Sequence, residues 1–283
     1  MNAVEVHELR KSYDGVEAVR GISFELRAGE VFGLLGPNGA GKTTTVEILE
    51  GYRRHDGGEV TVLGADPRKA DASWRERIGV VPQFAELYPN LTVAEHLELF
   101  AGYYRRPRPT SEVLGLIGLE HKVGAKARTL SGGQKRRLDL GIALIGDPEL
   151  LFLDEPTTGF DPGARRAAWE TIRSLRSLGK TILLTTHYIE EAQRLADRVA
   201  VLRRGEIVAS GTPAELTAAA PASRISFRRD GETVVVETEE PTRALHELTE
   251  EALREGRELE ALEVHRPTLE DVYLSLTEEE PGE

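Results

Sequence analysis

An α/β fold built on parallel strands is what the sequence predicts, and three observations predict it. Uninterrupted apolar runs recur along the chain: VFGLL at 31–35, LLFL at 150–153, TILLT at 181–185 and VAVL at 199–202. Runs of this kind, with no polar alternation, belong to strands buried on both faces. Stretches of helical periodicity lie between them, among them 164–177 and 188–194, and parallel strands need such crossovers. Thirdly, the run at 31–35 leads directly into a glycine-rich loop, GPNGAGKTT at 36–44, after which TTTVEIL at 43–49 continues as a helix. A mostly helical insertion follows at 92–104, 111–117 and 132–146, with a polar joint RRPRPT at 105–110.

Composition narrows the classes of function. The chain has 283 residues, and 40% hydrophobic content is enough to bury a core. It has no cysteine, which excludes disulfides and thiolate metal sites. Its start, MNAVEVHELRKSYDG, lacks the basic and apolar segments of a secretory signal, so the cytoplasm is the expected compartment. No apolar run approaches the roughly 20 residues of a spanning helix, and a membrane role would need a partner chain. Residues 228–283 hold 18 acidic side chains against 6 arginines and no lysine, which accounts for the net charge of −12 and leaves residues 1–227 balanced. An acidic tail beside a neutral body argues against a broad nucleic-acid surface, and no nucleic-acid partner is expected.

The loop carries the first chemistry. In the pattern GxxxxGKT, backbone N–H groups surround phosphates, and side chains would fill the cradle that glycines leave open. Here the loop comprises Gly36, Asn38, Gly39, Ala40, Gly41, Lys42, Thr43 and Thr44. Lys42 reaches the outer phosphates, Thr43 can place its hydroxyl on Mg²⁺, and the helix that follows adds a positive N-terminal dipole. LLFLDEP at 150–156 places Asp154 at the carboxyl end of a buried strand, where open α/β sheets bind ligands, as a second group for the metal. Glu155, next in sequence, is suited to orient and deprotonate a water attacking the last phosphate. Gln83 after IGVVP and His187 after TILLTT also stand where strands end. Gln83 can ligate Mg²⁺ or hold water, and His187 can hydrogen-bond a terminal phosphate. Tyr13 in KSYDG offers a flat platform for an adenine ring, or equally a core or turn tyrosine.

A second glycine loop, SGGQ at 131–134, opens a helix. Ser131 and the N–H groups of Gly132 and Gly133 make another anion site at a helix N-terminus, but one without a lysine. Such a site suits the far side of a phosphate that another loop already holds. In a two-fold dimer that contact would be reciprocal.

With these motifs set out, the chain resembles the ATPase subunit of an ATP-binding cassette (ABC) transporter. GPNGAGKTT is similar to that family's Walker A, VVPQ to its Q-loop with Gln83, and LSGGQ at 130–134 to its signature. LLFLDEP is similar to Walker B, and His187 to the switch histidine; the likeness runs over residues 4–211. TTGFDP at 157–162 resembles the D-loop, with Asp161 as its acid and Phe160 where leucine is usual. The resemblance implies a P-loop NTPase core with a helical subdomain at about 84–148 and an antiparallel β subdomain, binding ATP and Mg²⁺. It makes Tyr13 the adenine-stacking residue, Ser131, Gly133, Gln134 and Asp161 nucleotide contacts, and Lys42, Gln83, Glu155 and His187 the catalytic set. It also implies a homodimer sandwiching ATP, and a separate membrane permease docked on the segment from Gln83 through TVAEHLELFAGYY at the cytoplasmic face. The same segment reads independently as an amphipathic helix with Val93, Leu97 and Phe100 turned inward.

The tail HRPTLEDVYLSLT at 265–277 is similar to the ending of drug-exporter ATPases of the daunorubicin-resistance type. Periodicity places strands at 224–227, 233–237 and 259–265 and helices at 242–254 and 268–276. A cassette at 1–220 and a small acidic α+β domain at 221–283 are therefore expected. The alternative is a soluble cassette ATPase acting on nucleic acid or ribosomes. Such relatives usually carry coiled-coil or zinc-binding insertions or a second cassette, and this chain has none of these.

Overall fold

Apolar runs with no polar alternation become strands covered on both sides in the computed structural model, which describes residues 1–83, 86–218, 223–229 and 231–277. The chain forms two units, Met1–Thr212 and Pro213–Glu283. The expected boundary at 220/221 and the expected start of the helical subdomain at 84 lie outside the described residues. Helix Pro213–Ala218, expected with the cassette, belongs to the second unit, where it packs on the last helix of the chain.

The first unit begins with strands β1 (Asn2–Tyr13), β2 (Val16–Arg27) and β3 (Val31–Leu35), then helix α1 (Lys42–Leu49), β4 (Gly57–Val62), the short α2 (Ala72–Arg75) and β5 (Ile78–Val81). The helical insertion follows as α3 (Val93–Ala101), α4 (Thr110–Ile117) and α5 (Gly132–Leu144). The chain then returns through β6 (Leu150–Asp154), α6 (Pro162–Ser177), β7 (Thr181–Thr186), α7 (Ile189–Leu195), β8 (Arg198–Arg203) and β9 (Glu206–Gly211). A six-stranded sheet has the order β5-β6-β7-β3-β8-β9, parallel except for β9, and β2-β1-β4 form an antiparallel sheet.

Alternate residues of each central strand divide between two cores. Phe32, Leu34, Phe152 and Leu183 join Val4, Val6, Leu9 and Leu26 of the antiparallel sheet on one face. Val31, Leu151, Leu153, Ile182 and Leu184 join Val93, Leu97, Leu138, Trp169 and Ile172 of the helices on the other. Phe100 is partly buried against the same cluster, the inward face read from the α3 pattern. Parallel pairing also has a functional result: the carboxyl ends of β3, β5, β6 and β7 share one edge, so motifs far apart in sequence converge there.

In the second unit, α8 (Pro213–Ala218) precedes β10 (Ser223–Arg229), β11 (Glu232–Thr238), α9 (Pro241–Arg254), β12 (Glu260–His265) and α10 (Leu269–Thr277). β10 lies between β11 and β12 in an antiparallel sheet, with α9 packed on it and Ile225 and Phe227 buried. This is the small α+β arrangement that the periodicity predicts.

Candidate active site

The phosphate loop owes its path to glycine at two positions. A Cβ on Gly36 would lie 2.5 Å from the Leu202 carbonyl oxygen, and one on Gly41 the same distance from that of Ala18. Gly41 also has φ +103°, in the region that side-chain-bearing residues avoid. From the first turn of α1 the Lys42 ammonium, 4% exposed, donates to the carbonyl oxygens of Gly36 (2.8 Å) and Pro37 (3.2 Å). It also lies 3.3 Å from Oε1 of Glu155. A buried ammonium curled into its own loop is a cation set for an anion in that cradle.

Asp154, at the end of β6, accepts from Thr43 Oγ1 (3.2 Å) and from Thr185 Oγ1 of neighbouring β7. Burial raises its carboxyl above the ordinary range, and these two hydroxyls pull the other way. Glu155 is buried, with its backbone at φ +47°. Its N–H donates to Thr185 Oγ1 at 3.0 Å, and its Oε2 accepts from Gln83 Nε2 and Thr158 Oγ1, both at 3.1 Å. His187 Nδ1 lies 3.2 Å from the same oxygen, out of hydrogen-bonding alignment. Burial pushes the Glu155 carboxyl up, but the Lys42 charge and the His187 contact outweigh it and hold it below the usual range. The result is an ionised carboxylate at neutral pH, gathered with Lys42, Gln83 and His187 on one edge of the sheet.

Tyr13, Ser131 and Asp161 occupy other places. Tyr13 ends β1, and its ring faces the Lys11 ammonium and the Arg53 guanidinium, each 5.3 Å from the centroid. Ser131 caps α5 by accepting from Gln134 N–H at 3.3 Å, while Gln134 Oε1 accepts from Ser131 N–H at 3.0 Å, a reciprocal capping box. Asp161 caps α6, accepting from the N–H groups of Gly163 and Ala164, both at 2.9 Å.

Three side chains outside the sequence motifs also build this edge. Thr185 binds both Asp154 and the Glu155 N–H; two threonines closing an apolar strand were the available signal. Glu191, fully buried on α7, accepts from Thr157 Oγ1 (2.8 Å) and Trp169 Nε1 (2.9 Å), joining the segment after Glu155 to the helix after His187. Arg136 on α5 donates to backbone carbonyls on both sides of the site. No local pattern marks either residue.

A model of the ABC transporter family matches residues 19–158. "Nod factor export ATP-binding protein I" of Rhizobium meliloti (strain 1021) is 42% identical over 300 residues, covering 97% of this chain and 88% of that protein. The chain belongs to the ABC transporter family. The protein of the same name from Ralstonia nicotianae is 48% identical over 219 residues, 75% of this chain and 68% of that one. Among solved structures, cbiO1 from Clostridium perfringens, part of the cbiONQ transporter complex, superposes with TM-score 0.70 at 29% identity, covering 77% of this chain and 91% of that one. A post-hydrolysis dimer of the cassette MJ0796 bound to ADP and Pi gives TM-score 0.67 at 27% identity, covering 74% and 98%. The cassette is thus an ATPase subunit of a transporter, with a P-loop NTPase core. Among the described residues no helix is long and apolar enough to cross a membrane.

Proposed function

We propose that this ABC ATPase drives export, with two copies closing on two ATP molecules and a separate permease providing the path across the membrane. The observation that carries the hydrolytic part is the clustering of Lys42, Gln83 and His187 around Glu155 at 3.1 to 3.3 Å. Glu155 is the base toward the attacking water, Lys42 binds the outer phosphates, and His187 and Gln83 report whether the terminal phosphate is present. Gly36, Asn38, Gly39, Ala40, Gly41 and Thr44 complete the cradle, and Tyr13 stacks on adenine. Ser131, Gly133, Gln134 and Asp161 belong to the face that meets the second copy's nucleotide.

Thr43 and Asp154 present hard oxygens 3.2 Å apart beside the cradle, a donor set that suits Mg²⁺, which takes one or two protein oxygens together with substrate phosphates. With Gln83, these residues would hold the ion, which when bound neutralises charge on the phosphates.

Export follows the names of the relatives, and attachment at the cytoplasmic face through a permease follows the resemblance to transporter ATPases. An apolar hollow of about 270 Å³, lined by Tyr88, Pro89, Asn90, Leu91 and Leu99, lies beside α3. Tyr88 and Leu99 are exposed there, and so is Tyr103, two residues past the end of α3. This is a suitable seat for the permease, on the segment expected from sequence.

The test is affinity purification of Glu155→Gln from detergent-solubilised native membranes with Mg-ATP, followed by mass spectrometry. A hydrophobic multi-span protein is the expected companion. Ribosomal or DNA-bound proteins alone would sink the transport reading.

A further inference from the structure

Arg136 lies on the second turn of α5, the helix that SGGQ opens, and its side chain is only 13% exposed. Its guanidinium reaches two separate backbone segments. On one side it donates to the carbonyl oxygens of Asp154 (2.8 Å), Glu155 (3.4 Å) and Pro156 (3.3 Å). On the other it donates to those of Pro82 (2.5 Å) and Gln83 (3.5 Å). The nearest carboxylate is Asp139, 3.9 Å away and one turn along α5. Most of this fork is therefore used on main-chain oxygens, those that flank Glu155 and Gln83.

Glu155 has φ +47°. A glutamate holds that conformation only where its surroundings over-determine it. Three consecutive carbonyls, Asp154 to Pro156, converge on one planar cation, while Thr185 Oγ1 accepts from the Glu155 N–H. The same cation holds the backbone of Gln83, whose amide donates to the Glu155 carboxylate.

We propose that Arg136 is a positioning residue for ATP hydrolysis: from the SGGQ helix it fixes the backbone of Glu155 and Gln83 together, and so aims the carboxylate at the attacking water. Displacement of α5 then changes the aim of Glu155 directly, which links the loop that meets the second copy to the reacting water of its own chain. This rests on the reading of Glu155 as the base. Lysine cannot substitute, because a single ammonium has no planar fork to span both segments.

The experiment is a double-mutant cycle on ATP turnover in the whole chain with Arg136→Lys, Arg136→Met and Glu155→Gln, alongside ATP affinity and thermal melting. Arg136→Lys is expected to lower kcat by about 100-fold, the scale of a misplacement near 1 Å, with ATP affinity within about threefold of wild type. In the Glu155→Gln background the same change should cost nothing further, because its effect passes through the carboxylate. An equal loss in both backgrounds would overturn the proposal, and so would unchanged kcat in Arg136→Lys. Full turnover in Glu155→Gln alone would overturn the reading of Glu155. If Arg136→Met does not fold, the lysine variant carries the test.

Discussion

The two glycine loops of the first unit differ in how completely their own chain provides for a phosphate. At 36–44 the loop is backed by the Leu202 and Ala18 carbonyls, and its cation is buried and already engaged by Gly36, Pro37 and Glu155. At 131–134 Ser131 and Gly132 are exposed, and the side chains of Ser131 and Gln134 serve only to cap their own helix. Both are helix N-termini with a positive dipole. The first has the lysine, the Thr43 hydroxyl and the carboxylates within reach; the second has a dipole and an exposed serine, with no lysine in the loop. Under the proposed function, the first loop is a site by itself and the second is half of one that a second copy would complete.

The largest effect separating them is expected from Glu155→Gln. Removing the base should lower turnover by about 10³-fold, within the range for general acid–base groups, while ATP binding persists and dimers accumulate in Mg-ATP. A variant that stays monomeric on a sizing column at saturating Mg-ATP would break the two-copy reading. Next is Gly133→Asp in the second loop. A Cβ there already meets Ala164 Cβ at 3.4 Å, and an added carboxylate facing phosphate introduces a like charge worth several kcal/mol. Turnover should fall about 100-fold by that repulsion. ATP binding to the single chain, measured by calorimetry, should stay unchanged, because the first loop is untouched. Loss of binding would mean that the loops are not independent.

Tyr13→Ala is expected to weaken ATP by about tenfold, in line with the ~1–3 kcal/mol of base stacking on an aromatic ring, and Tyr13→Phe to leave it unaltered. Equal affinity for GTP and ATP in both variants and wild type would remain compatible with stacking, whereas unchanged ATP affinity in Tyr13→Ala would not. The smallest effect concerns Asp139 beside Arg136. Burial pushes its carboxyl up to about 6, and Arg136 offsets only part of this. The folded state therefore binds the proton more tightly than the unfolded chain, whose aspartate titrates near ~3.9. Stability from this group is full below that value and is lost as pH rises through about 6. Asp139→Asn should thus melt higher than wild type at pH 7.5, and the difference should disappear by about pH 4.

The parts of the site that were legible in the sequence are those whose chemistry is local. GPNGAGKTT declares its function because a lysine and a hydroxyl must follow a loop stripped of side chains. Asp154 and Glu155 stand out because charge follows directly on four buried residues. The long hairpin of β1 and β2 was less legible than the parallel strands. Its alternation is interrupted by register shifts between Val6 and Leu9 and again between Leu9 and Arg10, and Glu8 sits at φ +48°. A bulge moves later side chains to the opposite face and destroys the period that a sequence reading relies on.

What the sequence determined by itself was the chemical inventory and the buried character of the central strands, because residue type and spacing along the chain suffice for both. Only the tertiary structure decided that β3 lies between β7 and β8, which brings Lys42, Gln83, Asp154, Glu155 and His187 to one edge. It also decided that Thr185, Glu191 and Arg136 support that edge. Their contacts join strands and helices distant in sequence, and side-chain hydrogen bonds to a distant backbone leave no periodic signature. Those contacts exist only once the sheet has assembled.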